Sequence, residues 1–163
     1  MLASLRIENF AIVKELELDF KDGMTAFTGE TGAGKSIMID ALMLALGNRA
    51  DTSIIRTGEE KCDISALFLI DNNSETNKWL SANDISAIDN ELILRRVLTA
   101  EGRSKLYING HIFSAQKVKE LSEMLVHIHG QHQHQTLMHS TTHRLQLDHF
   151  AGHTDLLGEV HLL

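Results

Sequence analysis

The sequence predicts an α/β fold, and three observations carry that prediction. Two segments near the start alternate apolar and charged residues with a period of two. A glycine-rich stretch then separates a short apolar run from an apolar helical run. A further alternating region, punctuated by Asn109-Gly110, forms a meander that leads into another helix. The chain has 163 residues, 43% hydrophobic and 23% charged, which suffices for a core without staples. This composition excludes a disordered tail, a collagen-like repeat and a disulfide-stapled miniprotein.

Residues 2–20 carry two strands: Leu5 and Ile7 alternate with Arg6 and Glu8, and Leu16, Leu18 and Phe20 alternate with Glu15, Glu17 and Asp19. Lys21-Asp22-Gly23 is a turn. Met24–Thr28 is apolar without alternation, the pattern of a strand covered on both sides. Ser36–Leu46 is a helix apolar on most sides, hence buried, and Gly47-Asn48 stops it. Ile64–Ile70 is a strand, and Thr76–Ala82 a short helix that rests on Trp79 and Leu80. The meander places strands at Leu92–Leu98 and Lys105–Ile108 around the turn Ala100–Arg103, with the hairpin signal Asn109-Gly110 after them. Ser114 N-caps a helix through Leu125 whose buried stripe is Val118, Leu121 and Leu125. Leu125–Ile128 is a strand, Gly130–Gln135 a polar loop, and from Thr141 helical spacing runs to Leu163 without a cap, so the chain is expected to end inside a helix.

The single Cys62 fits a reducing cytoplasm. No apolar run reaches the ~18 residues of a membrane span, so no membrane partner is expected. The N-terminus lacks a signal-peptide pattern. A formal net charge of −7 excludes a global basic footprint for nucleic acid. Residues 61–120 balance 8 basic against 8 acidic residues while both flanks are net acidic. A local DNA-facing patch therefore has one candidate place, the hairpin cations Arg95, Arg96, Arg103 and Lys105.

Gly29-Glu30-Thr31-Gly32-Ala33-Gly34-Lys35-Ser36 matches G-x-x-x-x-G-K-[ST] in full and lies between an apolar strand and a helix, the context its chemistry requires. The glycines let successive backbone N–H groups turn toward phosphate oxygens, and the helix beginning near Lys35 adds its positive end. Lys35 places a charge on the β- and γ-phosphates. The Ser36 hydroxyl is a ligand for the Mg²⁺ that bridges them, which makes ATP and Mg²⁺ the expected ligands. Hydrolysis also needs a second acid. Asp71, at the end of the apolar run Leu67–Ile70, looks like a Walker B residue, but no Glu follows it to act as base, and an Asp opening the turn Asp71-Asn72-Asn73 explains it better. If Asp71 is that acid, the chain is a self-contained small kinase or GTPase-like enzyme.

Ile7-Glu8-Asn9-Phe10 followed by the phosphate loop resembles the N-terminal head segment of SMC-like ATPases. Asn48-Arg49-Ala50-Asp51, Ile55-Arg56-Thr57-Gly58 and Ile128-His129-Gly130-Gln131-His132 narrow the resemblance to the RecN family. It covers essentially the whole chain. It implies the N-terminal lobe of an ABC-type ATPase head (residues 1–140), with an antiparallel β subdomain, and a helix (141–163) that begins a coiled coil. In such heads the C-terminal lobe supplies the signature motif and the catalytic Asp-Glu pair, both absent here. Two heads sandwich two ATPs, and the family acts in recombinational repair of DNA double-strand breaks, which implies a cytoplasmic protein associated with the nucleoid. The expected partners are then the chain's own C-terminal lobe, a second head and DNA. The resemblance makes Asp71 a decoy.

It also implies a Q-loop glutamine after Leu125–Ile128 that contacts Mg²⁺ and the attacking water. Gln131 is favoured over Gln133 and Gln135. Asn9, Arg49 and Arg56 are implied near nucleotide or DNA. His127, His129, His132 and His134 lack the spacing of a zinc site, and proximity to a γ-phosphate accounts for them better.

Overall fold

A computed structural model describes residues 1–28, 35–71, 74–87, 89–126, 128 and 151. Met1–Val126 forms one compact unit and His127–Leu163 a second. In the first, the described elements follow the order β1 (Leu2–Phe10), β2 (Val13–Asp19), α1 (Lys35–Ala45), β3 (Lys61–Leu69), α2 (Glu75–Ala82), β4 (Glu91–Thr99), β5 (Ser104–Ile108), β6 (His111–Phe113) and α3 (Ala115–Leu125), with a single 3-10 turn at Thr52–Ile54.

The strands form one six-stranded sheet, ordered β2-β1-β3-β4-β5-β6, and each neighbouring pair is antiparallel. Period-two patterning sorts the side chains to two faces. The inner face carries Leu5 and Ile7 of β1, Cys62, Ile64, Ala66 and Phe68 of β3, Leu92, Leu94 and Leu98 of β4, and Leu106 and Ile108 of β5, all buried. Onto it α1 brings Ala41, Leu44 and Ala45, while α3 brings Val118 and Leu121. Trp79 and Leu80 of α2 extend the same core, and the Trp79 indole N–H donates to Glu120 Oε1 at 2.8 Å, which ties α2 to α3. The outer face carries Arg6, Glu8, Asp63, Ser65, Arg95 and Tyr107.

Local chemistry explains the boundaries. Ser74 and Ser114 cap α2 and α3, each hydroxyl accepting from the backbone N–H three residues on. Asn109 (φ 45°) and Gly110 (φ 84°) make the tight β5–β6 turn that an Asn-Gly pair favours. The Asn109 carboxamide accepts from Ile93 N–H at 2.8 Å and donates to Ser86 O at 3.0 Å, so the turn is pinned to β4.

Met24–Thr28 departs from expectation: it is not a strand, Met24 is 97% exposed, and Phe27 meets Phe20 edge-on with ring centroids 6.1 Å apart. A strand needs a lateral partner, and among the described residues this run forms a ring contact in place of a ladder. α1 is likewise less enclosed than its composition suggests, with Ile39 54% exposed, because the sheet covers only one of its sides. Leu125, expected to begin a strand, is the last residue of α3. The helix expected from Thr141 lies outside the described residues except for Ala151, which sits in a turn.

Candidate functional site

The site is built around the start of α1. Lys35 is its first residue and Ser36, in its first turn, is exposed. That turn holds no acidic residue, so no side-chain anion of its own neutralises the helix's positive end. Gly29, Glu30, Thr31, Gly32, Ala33 and Gly34 lie outside the described residues, as do Gln131, Gln133, Gln135 and the four histidines.

Beside α1 opens a cleft of about 440 Å³, lined by Phe10, Ala11, Ile37, Asp40, Arg49 and Ile54 among others. The β1–β2 turn forms one wall. Asn9 (φ 53°) and Ala11 (φ 51°) both adopt the left-handed region, which costs a residue with a Cβ about 1–2 kcal/mol and persists only where surroundings enforce it. The segment after α1 does the enforcing. Ala11 N–H donates to Ile54 O at 2.7 Å, Arg56 N–H donates to Asn9 O at 2.9 Å, and Phe10 bridges to Ile55. The Thr52–Ile54 turn is itself capped by Asp51, whose carboxylate accepts from Ser53 N–H at 2.9 Å. That hydrogen bond holds the Asp51 carboxyl below its ordinary range, and the Arg49 charge adds to the effect.

Asn9 and Arg56, far apart in sequence, are thus joined on one turn beside α1, and Arg49 lines the cleft next to it. The Arg56 guanidinium is partly exposed and lies 3.8 Å from Glu59. Sequence reasoning did not single out Ala11, Asp40 or Ile54. Asp40 carried a usable signal, as the one charge inside an apolar helical run. The strained turn at Ala11 left none, because its cause is a contact 43 residues away.

The four-cation patch is not assembled as expected, since adjacent strand residues point to opposite faces. Arg95 lies on the outer face and grips Asp63 with two parallel hydrogen bonds, Nε to Oδ1 at 2.8 Å and Nη2 to Oδ2. Its guanidinium also lies 5.9 Å from the Tyr107 ring centroid. Arg96 points inward, is only 6% exposed, and donates to Leu44 O, Asn48 O and Ser104 Oγ. Arg103 and Lys105 remain exposed at the β4–β5 turn.

Asp71 lies beyond β3, a strand flanked on both sides by antiparallel neighbours. Its carbonyl accepts from Ser74 Oγ at 2.7 Å and Asn77 Nδ2 at 2.8 Å. The Ser74 N–H also donates to the Asp71 carbonyl at 3.1 Å, so the residue opens the turn that leads to the α2 cap, as the turn reading of its sequence anticipates. Among the described residues, no helix is long and apolar enough to cross a membrane, and no cluster of three or more metal-binding side chains occurs.

A family model described as an AAA domain matches residues 4–148. The chain is 52% identical to the DNA repair protein RecN of Vibrio cholerae over 96% of its own length, which is 28% of that relative. It is 40% identical to RecN of Bacillus subtilis over 93% of its length, 26% of that relative. The chain therefore spans just over a quarter of the curated relatives it matches. Its fold matches a solved structure from work on ATP-driven dimerisation and DNA-stimulated activation of SMC ATPases, with a TM-score of 0.63 at 19% identity over 90% of this chain and 97% of that one. The SMC head domain from Thermotoga maritima gives a TM-score of 0.56 at 21% identity over 73% of this chain and 41% of that one. The chain belongs to the AAA domain family, and the RecN resemblance of its motifs is borne out along nearly its whole length.

Proposed function

We propose that this chain is the ATP-binding half of an SMC-like ATPase head that acts in recombinational repair of DNA double-strand breaks in the bacterial cytoplasm. The observation that carries the reading is the match of Gly29–Ser36 to a phosphate loop at the start of α1, beside a cleft lined by Ala11, Asp40 and Arg49. The exposed Ser36 and a first helical turn without an acidic residue suit an anionic ligand and its Mg²⁺. In this reading Lys35 neutralises phosphate charge, Ser36 and Gln131 hold the metal, and Asn9, Arg49 and Arg56 flank the nucleotide. Residues 1–140 form the lobe and 141–163 lead into a coiled coil. The C-terminal lobe and a second head supply what hydrolysis further needs, and DNA approaches through the exposed Arg103 and Lys105 or through the remainder of the protein.

Titration with a fluorescent ATP analogue and Mg²⁺ tests this. The chain should bind, and Lys35→Ala should weaken binding by at least about tenfold, the scale of one lost charge-assisted phosphate contact. ATP turnover by the chain alone should stay near background. Robust turnover that Lys35→Ala and Asp71→Ala both abolish would overturn the divided site in favour of a self-contained enzyme.

A further inference from the structure

The inward side chains of β4 run Leu92, Leu94, Arg96, Leu98. Three of the four are apolar core residues, and the fourth is a buried guanidinium. No carboxylate pairs with it among the described residues. Its hydrogen bonds go elsewhere. Nη1 donates to Leu44 O at 3.0 Å and to Asn48 O, while Nε and Nη2 donate to Ser104 Oγ at 3.1 and 3.0 Å. Leu44 and Asn48 straddle the C-terminal end of α1, where carbonyls accumulate negative partial charge. Burial lowers the Arg96 pKa, so the site disfavours the charge that these carbonyls recover. An apolar residue here would avoid the desolvation of the charge but would leave the Leu44, Asn48 and Ser104 oxygens without their donor.

What Arg96 does achieve is geometric. α1 is packed by the sheet on one side, while Ser36 and Ile39 are exposed on the other. Apolar contacts resist separation but fix axial position poorly, since they are not directional. A planar guanidinium with one anchor in the last turn of α1, one just past its end and one on β5 sets that position. Gly47 completes the lock. Its φ of 96° ends the helix, and a Cβ there would come within 2.9 Å of Ala115 O, so α3 abuts the same end.

We propose that Arg96 is a positioning residue of the nucleotide site: it fixes the far end of α1 against the β4–β5 hairpin and so sets where Lys35 and Ser36 stand. The proposal rests on the nucleotide reading above. An 11-residue helix spans only about 16 Å and behaves as a rigid lever over that distance. Ser104, which holds the other end of the clasp, sits between the exposed Arg103 and Lys105, so displacement of that turn is felt by α1.

The test compares Arg96→Met, Arg96→Lys and Ser104→Ala with Leu94→Ala, a core truncation on the same strand face. Three quantities are read: melting temperature, affinity for a fluorescent ATP analogue with Mg²⁺, and amide hydrogen exchange across α1. Both Arg96 variants should lose about tenfold in affinity and Ser104→Ala about threefold, the range typical of residues that act on a site without touching it. α1 amides should lose protection in the Arg96 variants. Leu94→Ala should lose more melting temperature yet less affinity. The proposal is overturned if all four variants fall on one line of affinity against melting temperature, or if Arg96→Met binds like the wild type. Should Arg96→Met fail to fold, Arg96→Lys and Ser104→Ala carry the comparison. If the wild type binds no nucleotide, the functional reading falls, and α1 exchange alone decides: unchanged protection in Arg96→Lys overturns the positioning role.

Discussion

Arg95 and Arg96 are adjacent in sequence, and they show how differently the two faces of the sheet use the same chemistry. On the outer face, Arg95 keeps water on one side, pairs with Asp63, and has its pKa raised by that hydrogen bond. On the inner face, Arg96 is cut off from water, meets only neutral oxygens, and has its pKa lowered by burial. A pair of the first kind, with its guanidinium half in water, contributes modestly to stability. A buried charge of the second kind is costly to strand and constrains whatever it touches. The contrast teaches that charge counted along a strand says nothing about a binding surface until parity is known.

That contrast can be broken by mutation. The largest effect should come from the centre of the inner face: Phe68→Ala, at a side chain with 0% exposure, should cost about 3–5 kcal/mol in urea unfolding. Gly47→Ala should follow at about 1–3 kcal/mol, because the new Cβ combines a left-handed backbone with a clash against α3. On the outer face, Asp63→Ala should cost less than about 1 kcal/mol, despite its two hydrogen bonds to Arg95. A cost equal to that of Gly47→Ala would erase the distinction between the faces.

The smallest effect lies at the rim, where Glu120 accepts from the Trp79 indole and has its pKa lowered by that bond. A carboxylate with a depressed folded-state pKa adds stability above its ordinary value of 4.5, and that contribution disappears as the pH falls through the lowered value. Glu120→Gln should therefore flatten the acid side of the stability profile, read as urea midpoints between pH 3 and 7. An unchanged slope would remove Glu120 from the account.

Elements whose causes are local were legible in the sequence. Ser114 and Asn109-Gly110 act on backbone within three residues, so the cap of α3 and the β5–β6 turn follow directly. Met24–Thr28 was misread because apolar content speaks to burial, whereas strand formation depends on a partner elsewhere. The candidate site was half legible. The phosphate loop is a contiguous pattern, and the family resemblance flagged Asn9, Arg49 and Arg56 separately. The meeting of Asn9 and Arg56 depends on the docking of residues 54–56 onto the β1–β2 turn, a pairing no local pattern encodes. Arg96 escaped for a similar reason: its partners lie 48 and 52 residues away, at and just past the end of α1, and eight residues away on β5.

Cys62 has a practical consequence. It is the only cysteine of the chain, it is 1% exposed on the inner face, and burial pushes its thiol up to about 12. Only the thiolate reacts appreciably with alkylating reagents, so the folded chain is chemically silent toward them. An added Ile12→Cys, at a position 75% exposed on the tip of the β1–β2 turn, would be a single addressable handle beside the cleft along α1. The native thiol would then label only when the sheet opens. One molecule would carry both a reporter at the cleft and an internal clock for its own unfolding.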